Sequence, residues 1–277
     1  MKIKAQSITE LNNAVGRLSE PSKMAGTSWS ISAFLCGIGS IMAKLPPNKD
    51  GNASVCSSCY ARKGNYLFKV VKDALDRRWK VIRKAMSYAG HRERFISNFV
   101  ELLERKRQNT IKRLKDGLPV SCDARYHRWF DSGDLAEGML PILIEIAERS
   151  DVVFWLPTRE RSQIIRYIDG GGKIPSNLSI RISSNWNNES PINIAKLVQA
   201  GCHISGVHDE RGKIPDEMKA DHPWFECPAW KQDGECRNCR ACYPTSAKGH
   251  RTIAGKFAVS YPLHVALFSL LLLGLAS

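Results

Sequence analysis

Apolar residues recur at helical spacing in the first half of the chain. Between residues 65 and 89 they return every three or four positions among basic residues, which predicts an amphipathic helix. The same pattern predicts a second helix over residues 92–115, and Gly117 marks its end. Two consecutive helices therefore precede the point at which the pattern changes.

From residue 119 onward, short apolar or β-rich runs alternate with helical stretches. Strands separated by about 10 to 15 helical residues indicate βαβ units and a parallel sheet. An earlier apolar run, residues 29–35, is predicted as the first strand, with Cys36 at its end. The later order is strand 124–130, helix 135–149, strand 152–156, helix 159–168, strand 178–182, helix 192–200 and strand 203–207.

This order predicts an α/β fold, a complete or partial (β/α) barrel with parallel strands, in which chemistry takes place at the carboxyl ends of the strands. At 277 residues, one α/β domain with a small appendage is expected rather than two equal domains. We assign residues 1–215 to the barrel-like domain, 216–264 to a Cys-rich metal-binding segment and 265–277 to a hydrophobic tail.

Polar, charged or small residues follow the predicted strands. Asp131 and Asp134 are catalytic candidates because a carboxylate can act as base or nucleophile, and Gly133 permits close approach of a ligand to the backbone. A helix N-cap formed by Ser132 or Asp134 is the structural alternative. The cofactor-binding candidates at the strand ends are Ser132, Gly133, Asp134, Ser183 and Asn185.

The chain is strongly basic, with a formal net charge of +14 and a pI near 9.5. The excess of Lys and Arg is concentrated in residues 69–115. Such a surface attracts phosphate backbones through counterion release, whatever their sequence. We therefore expect nucleic acid to bind the basic helices, residues 66–115, with an ordinary solvated helical face as the alternative.

The nine cysteines carry the most specific chemical signal. Thiolates separated by two residues can reach one ion or cluster without stretching the backbone. Disulfides are disfavoured because nine is an odd number and because residues 1–6 hold no apolar signal stretch, so we expect a cytoplasmic protein. One group is Cys36, Cys56 and Cys59, and the other is Cys227, Cys236, Cys239 and Cys242.

Each cysteine group fits a different kind of metal site. Three thiolates on a [4Fe–4S] cluster leave one iron open for a small molecule, which suits the first group, and Tyr60 directly after it is a further cofactor-binding candidate. A closed site there would take a fourth ligand from Cys122, Cys202 or a histidine. The second group can close a structural zinc or an auxiliary cluster, and a Cys3His zinc site that includes His264 is the alternative.

The last residues of the sequence are apolar. In residues 257–277 only His264 can carry a charge. Pro262 disfavours a helix in the earlier part, and the run after His264 is shorter than the roughly 20 residues that a spanning helix needs. A buried terminal helix is therefore favoured over a weak membrane tail.

Four stretches carry a family resemblance: residues 56–66 (CSSCYARKGNY), 128–134 (RWFDSGD), 236–242 (CRNCRAC) and 259–264 (VSYPLH). Together they resemble the Gene product 88 family of phages and actinobacteria, over most of the chain from residue 29 to residue 264. The resemblance implies a viral or mobile-element origin, and hence the host cytoplasm, more firmly than it implies a reaction.

A looser similarity is to radical S-adenosylmethionine enzymes, which bind a three-cysteine [4Fe–4S] cluster beside a partial β/α barrel. It implies that the first cysteine group ligates a cluster whose open iron chelates S-adenosylmethionine. The turn at Ser132, Gly133 and Asp134 would then contact the methionine amino group. The second cysteine group would hold an auxiliary cluster. The basic charge of the chain favours a nucleic acid or a nucleotide as the substrate, with a peptide or a small metabolite as the alternatives. The chain departs from that pattern in its long spacing between Cys36 and Cys56 and in an aromatic residue that follows the last cysteine.

Two other functions also fit the residues. The turn 131–133 resembles that of tRNA-guanine transglycosylases, zinc-containing β/α barrels in which Asp131 would bind the base or attack C1′ while basic helices hold the polynucleotide. That function leaves the first cysteine group without a role. The other function is that of a non-catalytic module, stabilised by bound metal, that binds nucleic acid or protein. This function does not explain the polar residues after the strands.

Overall fold

The computed structural model of the protein describes residues 6–220, 222–244 and 258–263. Within these ranges eight α-helices and seven β-strands form an α/β architecture. The helices are α1 (Ile8–Ala14), α2 (Gly37–Met42), α3 (Lys69–Ser87), α4 (Ala89–Lys115), α5 (Leu140–Glu148), α6 (Arg161–Asp169), α7 (Ala195–Gln199) and α8 (Asp216–Lys219). The strands are β1 (Thr27–Trp29), β2 (Tyr126–Trp129), β3 (Val153–Thr158), β4 (Leu178–Ser183), β5 (His203–His208), β6 (Trp224–Glu226) and β7 (Ala258–Pro262).

All seven strands pair in parallel, in the order β1-β2-β3-β4-β5-β7-β6. The first five strands lie in chain order, as successive βαβ units require. β1 and β6 are the edges of an open sheet in the described part of the chain. The predicted α/β class and parallel sheet are therefore confirmed, whereas the described strands do not close into a barrel.

The hydrophobic periodicity located most of the elements. The two long predicted helices are α3 and α4, and the four later predicted strands are β2 to β5. The helix predicted from residue 135 begins only at Leu140. Gly138 adopts a left-handed φ of +84°, which a continuous right-handed helix cannot contain.

The first predicted strand is shorter than the apolar run suggested. β1 ends at Trp29, and the chain then forms a 3-10 helix at Ala33–Leu35. Cys36 therefore does not follow a strand, as was predicted, but is the N-cap of α2, where its sulfur accepts a hydrogen bond from the Gly39 N–H at 3.2 Å.

Two strands have no counterpart in the sequence prediction. β6 is only three residues long, and β7 falls inside residues 257–277, which were expected to be helix or membrane tail. β7 pairs with both β5 and β6, so strands from both sides of the predicted boundary at residue 215 share one sheet. The rest of the predicted tail, residues 264–277, lies outside the described residues. No helix in the described ranges combines the length and the apolarity needed to cross a membrane.

The two faces of the sheet are buried in different ways. On the helix-covered face, Trp29 and Trp129 are fully buried, and their rings meet edge to face with centroids 6.1 Å apart. They belong to the main hydrophobic core, to which α1 and α3 to α7 also contribute side chains. On the opposite face, Tyr126 and Trp155 pack against Tyr243. Because Tyr243 belongs to the segment that carries the second cysteine group, we call this side the cysteine-covered face.

Candidate functional site

The first cysteine group lies in a loop that crosses the carboxyl ends of β3 and β4. The Ile38 N–H donates to Oε1 of Glu160, just after β3, at 3.2 Å. The Val55 N–H donates to the Asn185 carbonyl, just after β4, at 3.0 Å. The sequence placed Asn185 at a strand end and Glu160 in the following helix, and the structure brings the cysteine loop onto this edge of the sheet.

The sulfurs of Cys36 and Cys56 face a common space above Gly39. A Cβ built on Gly39 would lie 2.6 Å from the Cys36 sulfur and 3.8 Å from the Cys56 sulfur. Cys59 joins them through a tight turn, in which its N–H donates to the Cys56 carbonyl at 3.3 Å. Only glycine leaves this space open, so the backbone itself provides room beside two thiols.

Burial raises the pKa of the Cys36 thiol to about 12, and the nearby Asp134 adds to that rise. Burial also raises the pKa of Cys56, and the guanidinium of Arg159 opposes the rise. Arg159 is held in place by its Nε, which donates to the Ser184 carbonyl at 2.9 Å. Cys56 is thus buried, and Cys36 partly buried, beside a fixed positive charge that favours the thiolate form.

Asp134 is buried, and protein groups satisfy its carboxylate. Oδ1 accepts hydrogen bonds from the Leu135 N–H at 2.8 Å and from the Thr158 hydroxyl at 2.6 Å. Oδ2 accepts from the Arg159 N–H at 2.9 Å. Burial raises the pKa of Asp134, and these three hydrogen bonds oppose the rise. The carboxylate therefore ties the turn after β2 to the end of β3.

Asp131 lies under two tyrosines from the cysteine loop. The Tyr60 hydroxyl donates to the Asp131 carbonyl at 2.5 Å, and the Tyr66 hydroxyl donates to the same carbonyl and to Oδ2, each at 3.3 Å. The Asp131 N–H donates to the Ser30 hydroxyl at 3.0 Å. These contacts place a predicted catalytic carboxylate beside the residue that follows Cys59.

Several polar atoms at this edge are buried without a partner in the described residues: Ser132 Oγ, Ser184 Oγ and Asn185 Oδ1. Gly133 makes the turn possible, since it adopts a φ of +77° and a Cβ there would lie 2.7 Å from the Ile31 carbonyl. Ser183, in contrast, shares a hydrogen bond with Ser205 at 3.1 Å. Buried atoms that lack partners are uncommon, and they are expected where a ligand completes the site.

The second cysteine group lines a small, largely apolar cavity on the cysteine-covered face, together with Met24 and Trp155. Burial raises the pKa of Cys227 to about 12 and that of Cys242 to about 11. The Cys242 sulfur also lies 3.1 Å from the Tyr261 hydroxyl on β7. The cavity is lined by all four cysteines of the group, Cys227, Cys236, Cys239 and Cys242.

Two arginines lie near the second group, one fully buried and one partly buried. Arg181 is fully buried and donates to the carbonyls of Cys242 at 3.1 Å and Ala241 at 2.6 Å. Arg128 lies with its guanidinium 4.3 Å from the centroid of the Trp155 ring. Burial disfavours its charged form, but Tyr60, Asp131 and the nearby Cys242 offset this and raise the pKa of Arg128. Its charge therefore lies between the two cysteine groups.

No group of three or more Cys, His, Asp or Glu side chains in the described ranges is arranged at metal-holding distances. The chemistry of the donors still fits a thiophilic metal, because each group presents several thiols next to fixed cations. At the first group, the space above Gly39 is the observation that favours an additional ligand. His264, the alternative zinc ligand, lies outside the described residues.

The basic helices hold fewer available cations than the sequence suggested. Arg78 is buried, where its guanidinium binds the Arg17 carbonyl at 2.7 Å and the Ser19 hydroxyl at 2.6 Å. Some exposed cations are paired with acids within the helix, as Arg105 is with Glu101. The cations of α3 and α4 that form no ion pair in the described residues include Lys72, Arg77, Lys80, Arg83, Lys84, Lys112 and Lys115.

The rule about strand ends points to residues 157–159 as well as to the turn 131–134, but it assigned Thr158 and Arg159 no specific role. Arg128 and Arg181 were not predicted as functional residues. Arg128 and Arg181 are basic residues inside apolar strands, and that conflict with the expected pattern was their only signal.

An open parallel sheet with one thiol group at its carboxyl edge and another on its face defines a cysteine-rich α/β protein with two candidate metal centres. The sequence model of the family described as Gene product 88 matches residues 12–245, so the chain belongs to that family. This confirms the resemblance to that family and supports a phage origin. No curated protein and no solved structure matches the chain. The similarity to radical S-adenosylmethionine enzymes stays a prediction.

Proposed function

We propose that the protein is an iron–sulfur enzyme that binds S-adenosylmethionine at a three-cysteine [4Fe–4S] cluster. The observation that carries this proposal is the common space above Gly39 that the sulfurs of Cys36 and Cys56 face, with Cys59 one turn away. A cluster held by three thiolates keeps one iron open to a small molecule.

The chain's own residues would bind and orient the ligand. Ser132 Oγ, Ser184 Oγ and Asn185 Oδ1 are buried atoms without partners that can hydrogen-bond its polar groups. Asp134 positions the turn by holding the end of β3, and Tyr60 shields the Asp131 carbonyl from water. When bound, the cluster would pass one electron from an external low-potential donor to S-adenosylmethionine, which splits into methionine and a 5′-deoxyadenosyl radical.

For the second cysteine group we propose an auxiliary cluster or a structural zinc. Either centre carries net negative charge when four thiolates bind it, and the nearby guanidinium groups of Arg128 and Arg181 can offset that charge. We further propose that the substrate is a nucleic acid or a nucleotide, which the unpaired cations of α3 and α4 would attract.

The test is anaerobic purification and reconstitution with iron and sulfide, followed by metal analysis and electron paramagnetic resonance. We expect a cluster signal that changes when S-adenosylmethionine is added. The double variant Cys56→Ala/Cys59→Ala should lose that response. Cys202→Ala, a buried cysteine in the main core, is the matched control and should keep it.

One tightly held zinc and no iron after reconstitution would overturn the proposal. That outcome would favour base exchange of the transglycosylase type or a non-catalytic module. An Asp131→Ala variant separates these two, because only base exchange needs the carboxylate of Asp131.

A further inference from the structure

Exposed apolar side chains are concentrated in the segment of the chain that carries the first cysteine group. Of the fifteen large hydrophobic residues that are exposed in the described part of the chain, eight fall in residues 34–70. Contiguous exposed apolar surface usually marks a binding site. The eight residues are Phe34, Leu35, Ile41, Leu45, Tyr60, Leu67, Phe68 and Val70.

Three of these residues are aromatic, and each is anchored while about half of it remains exposed. Phe34 is 57% exposed, with the Arg62 guanidinium 5.5 Å from its ring centroid. Tyr60 is 51% exposed, although its hydroxyl binds the Asp131 carbonyl. Phe68 is 59% exposed and is the N-cap of α3, so the helix fixes its backbone. We call these three residues the aromatic rim.

The segment that carries the aromatic rim is positively charged. Residues 34–70 contain five basic side chains and one acidic side chain, Asp50. In the described ranges Lys44, Lys49 and Lys63 form no ion pair, whereas Lys69 pairs with Asp73 at 2.7 Å. A ligand that covers this surface should therefore combine negative charge with flat apolar groups.

We propose that the aromatic rim binds single-stranded nucleic acid and delivers it to the first cysteine group. Bases stack on exposed aromatic rings while cations follow the phosphates, which is how single strands are held without sequence preference. A base on Tyr60 would lie next to Cys59 and Asp131, at the site of the proposed chemistry. This inference rests on the proposed function and names its substrate class.

A single strand fits the surface better than a duplex or an acidic protein does. The bases of a duplex are stacked on one another and cannot cover Phe34 and Phe68 at the same time as the cations meet phosphates. An acidic protein would satisfy the cations, but it would not require three fixed aromatic rings around one loop.

The test is fluorescence anisotropy of the full chain with labelled 20-nucleotide oligo-dT and oligo-U, and with a duplex of the same length, at several salt concentrations. We expect salt-dependent binding of the single strands that is stronger than binding of the duplex. Phe34→Ala and Phe68→Ala should each weaken single-strand binding about 5- to 100-fold. Lys63→Gln should reduce the slope of log affinity against log salt by about 0.7.

Two variants away from the aromatic rim serve as matched controls. Val198→Ala removes an exposed apolar side chain on α7, and Lys173→Gln removes an exposed lysine before β4. Both should bind like the wild type. Circular dichroism melting of each variant confirms that a loss of binding is not a loss of fold.

Three results would overturn the inference. The first is no binding of single strands, and the second is association with an acidic protein alone. The third is equal binding of duplex and single strand, with no effect of Phe34→Ala or Phe68→Ala. Its failure can be told apart from failure of the proposed function. Cys56→Ala/Cys59→Ala should still bind the oligonucleotides, and Phe68→Ala should still incorporate iron. Normal strand binding by a protein that takes up no iron would reject the cluster and leave the aromatic rim in place.

Discussion

The carboxylate of Asp134 and the hydroxyl of Thr158 are joined by a buried hydrogen bond of 2.6 Å between Oδ1 and Oγ1. This bond links the turn after β2 to the last residue of β3, at the edge where the first cysteine group lies. A residue that the sequence marked as catalytic is thus fully engaged in holding two strand ends together. Its acid-base role stays a prediction, whereas its positioning role follows from the geometry.

Asp134→Asn should lower the free energy of unfolding by about 2 kcal/mol. The amide accepts through only one of its two terminal atoms. Either the Leu135 N–H and the Thr158 hydroxyl or the Arg159 N–H therefore loses its acceptor. Urea unfolding measures the change. Glu137→Gln, an exposed carboxylate paired with Arg166, is the control and should change stability by less than roughly 0.5 kcal/mol. An Asp134→Asn protein of normal stability that has lost activity would instead indicate a chemical role.

Gly133→Ala should destabilise the fold by roughly 3 kcal/mol. Two effects contribute: the new Cβ would clash with the Ile31 carbonyl, and alanine at a positive φ is itself unfavourable. Gly171 isolates the second contribution, since it has a φ of +85° but nothing within 4 Å of its Cβ position. Gly171→Ala should therefore cost only about 1 kcal/mol. Thermal unfolding of the two variants side by side measures the difference, and equal costs would contradict the close approach to Ile31.

Arg181→Met should loosen the segment that carries the second cysteine group. The substitution removes the donors for the carbonyls of Ala241, Cys242 and Ile204, and we expect a loss of about 3 kcal/mol. Limited proteolysis should show faster cleavage within residues 227–244. Arg161→Met is the matched control, because Arg161 donates to the Ile192 carbonyl at an exposed position. Unchanged proteolysis of Arg181→Met would show that Arg181 does not hold the segment.

Stability should fall as the pH drops below about 6.5, in part because of His127. This histidine is fully buried, with its Nδ1 2.8 Å from the Thr27 hydroxyl, and burial lowers its pKa from 6.5 to about 3. Between these values the unfolded chain binds a proton that the folded chain does not. Each such histidine therefore costs up to about 1.4 kcal/mol per pH unit.

Urea unfolding at pH 7.5, 6 and 5 measures this dependence. His127→Asn should flatten it, whereas His91→Asn, at an exposed position on α4, should leave it unchanged. The same slope in both variants would assign the acid sensitivity to other groups, such as His203, whose pKa burial also lowers, to about 4.

The two cysteine groups should load metal independently. The first lies at the carboxyl edge of the sheet and the second on the cysteine-covered face, and no residue of one group hydrogen-bonds to a residue of the other in the described ranges. Cys56→Ala should remove one part of the bound metal and Cys239→Ala the other, as measured by elemental analysis. Loss of all metal in either variant would indicate one shared centre.

Local pattern was sufficient for the elements that repeat along the chain. The helical period of apolar residues predicted α3 and α4, and the short β-rich runs predicted β2 to β5 in their parallel arrangement. The local pattern failed for β6 and β7. A strand of three residues has too few positions to show a period, and a segment of five residues does not reveal which strands flank it.

The sequence by itself determined the residue types at the strand ends and the short spacings of Cys56 to Cys59 and of Cys236, Cys239 and Cys242, because both depend on neighbours within a few residues. Only the tertiary structure decided that Cys36 and Cys56, twenty residues apart, share the space above Gly39. It also decided that Asp134 binds Thr158, and that Arg181 binds a segment some sixty residues further on. Contacts between residues so far apart produce no periodic pattern in the sequence, because they arise from the packing of whole strands and loops against one another.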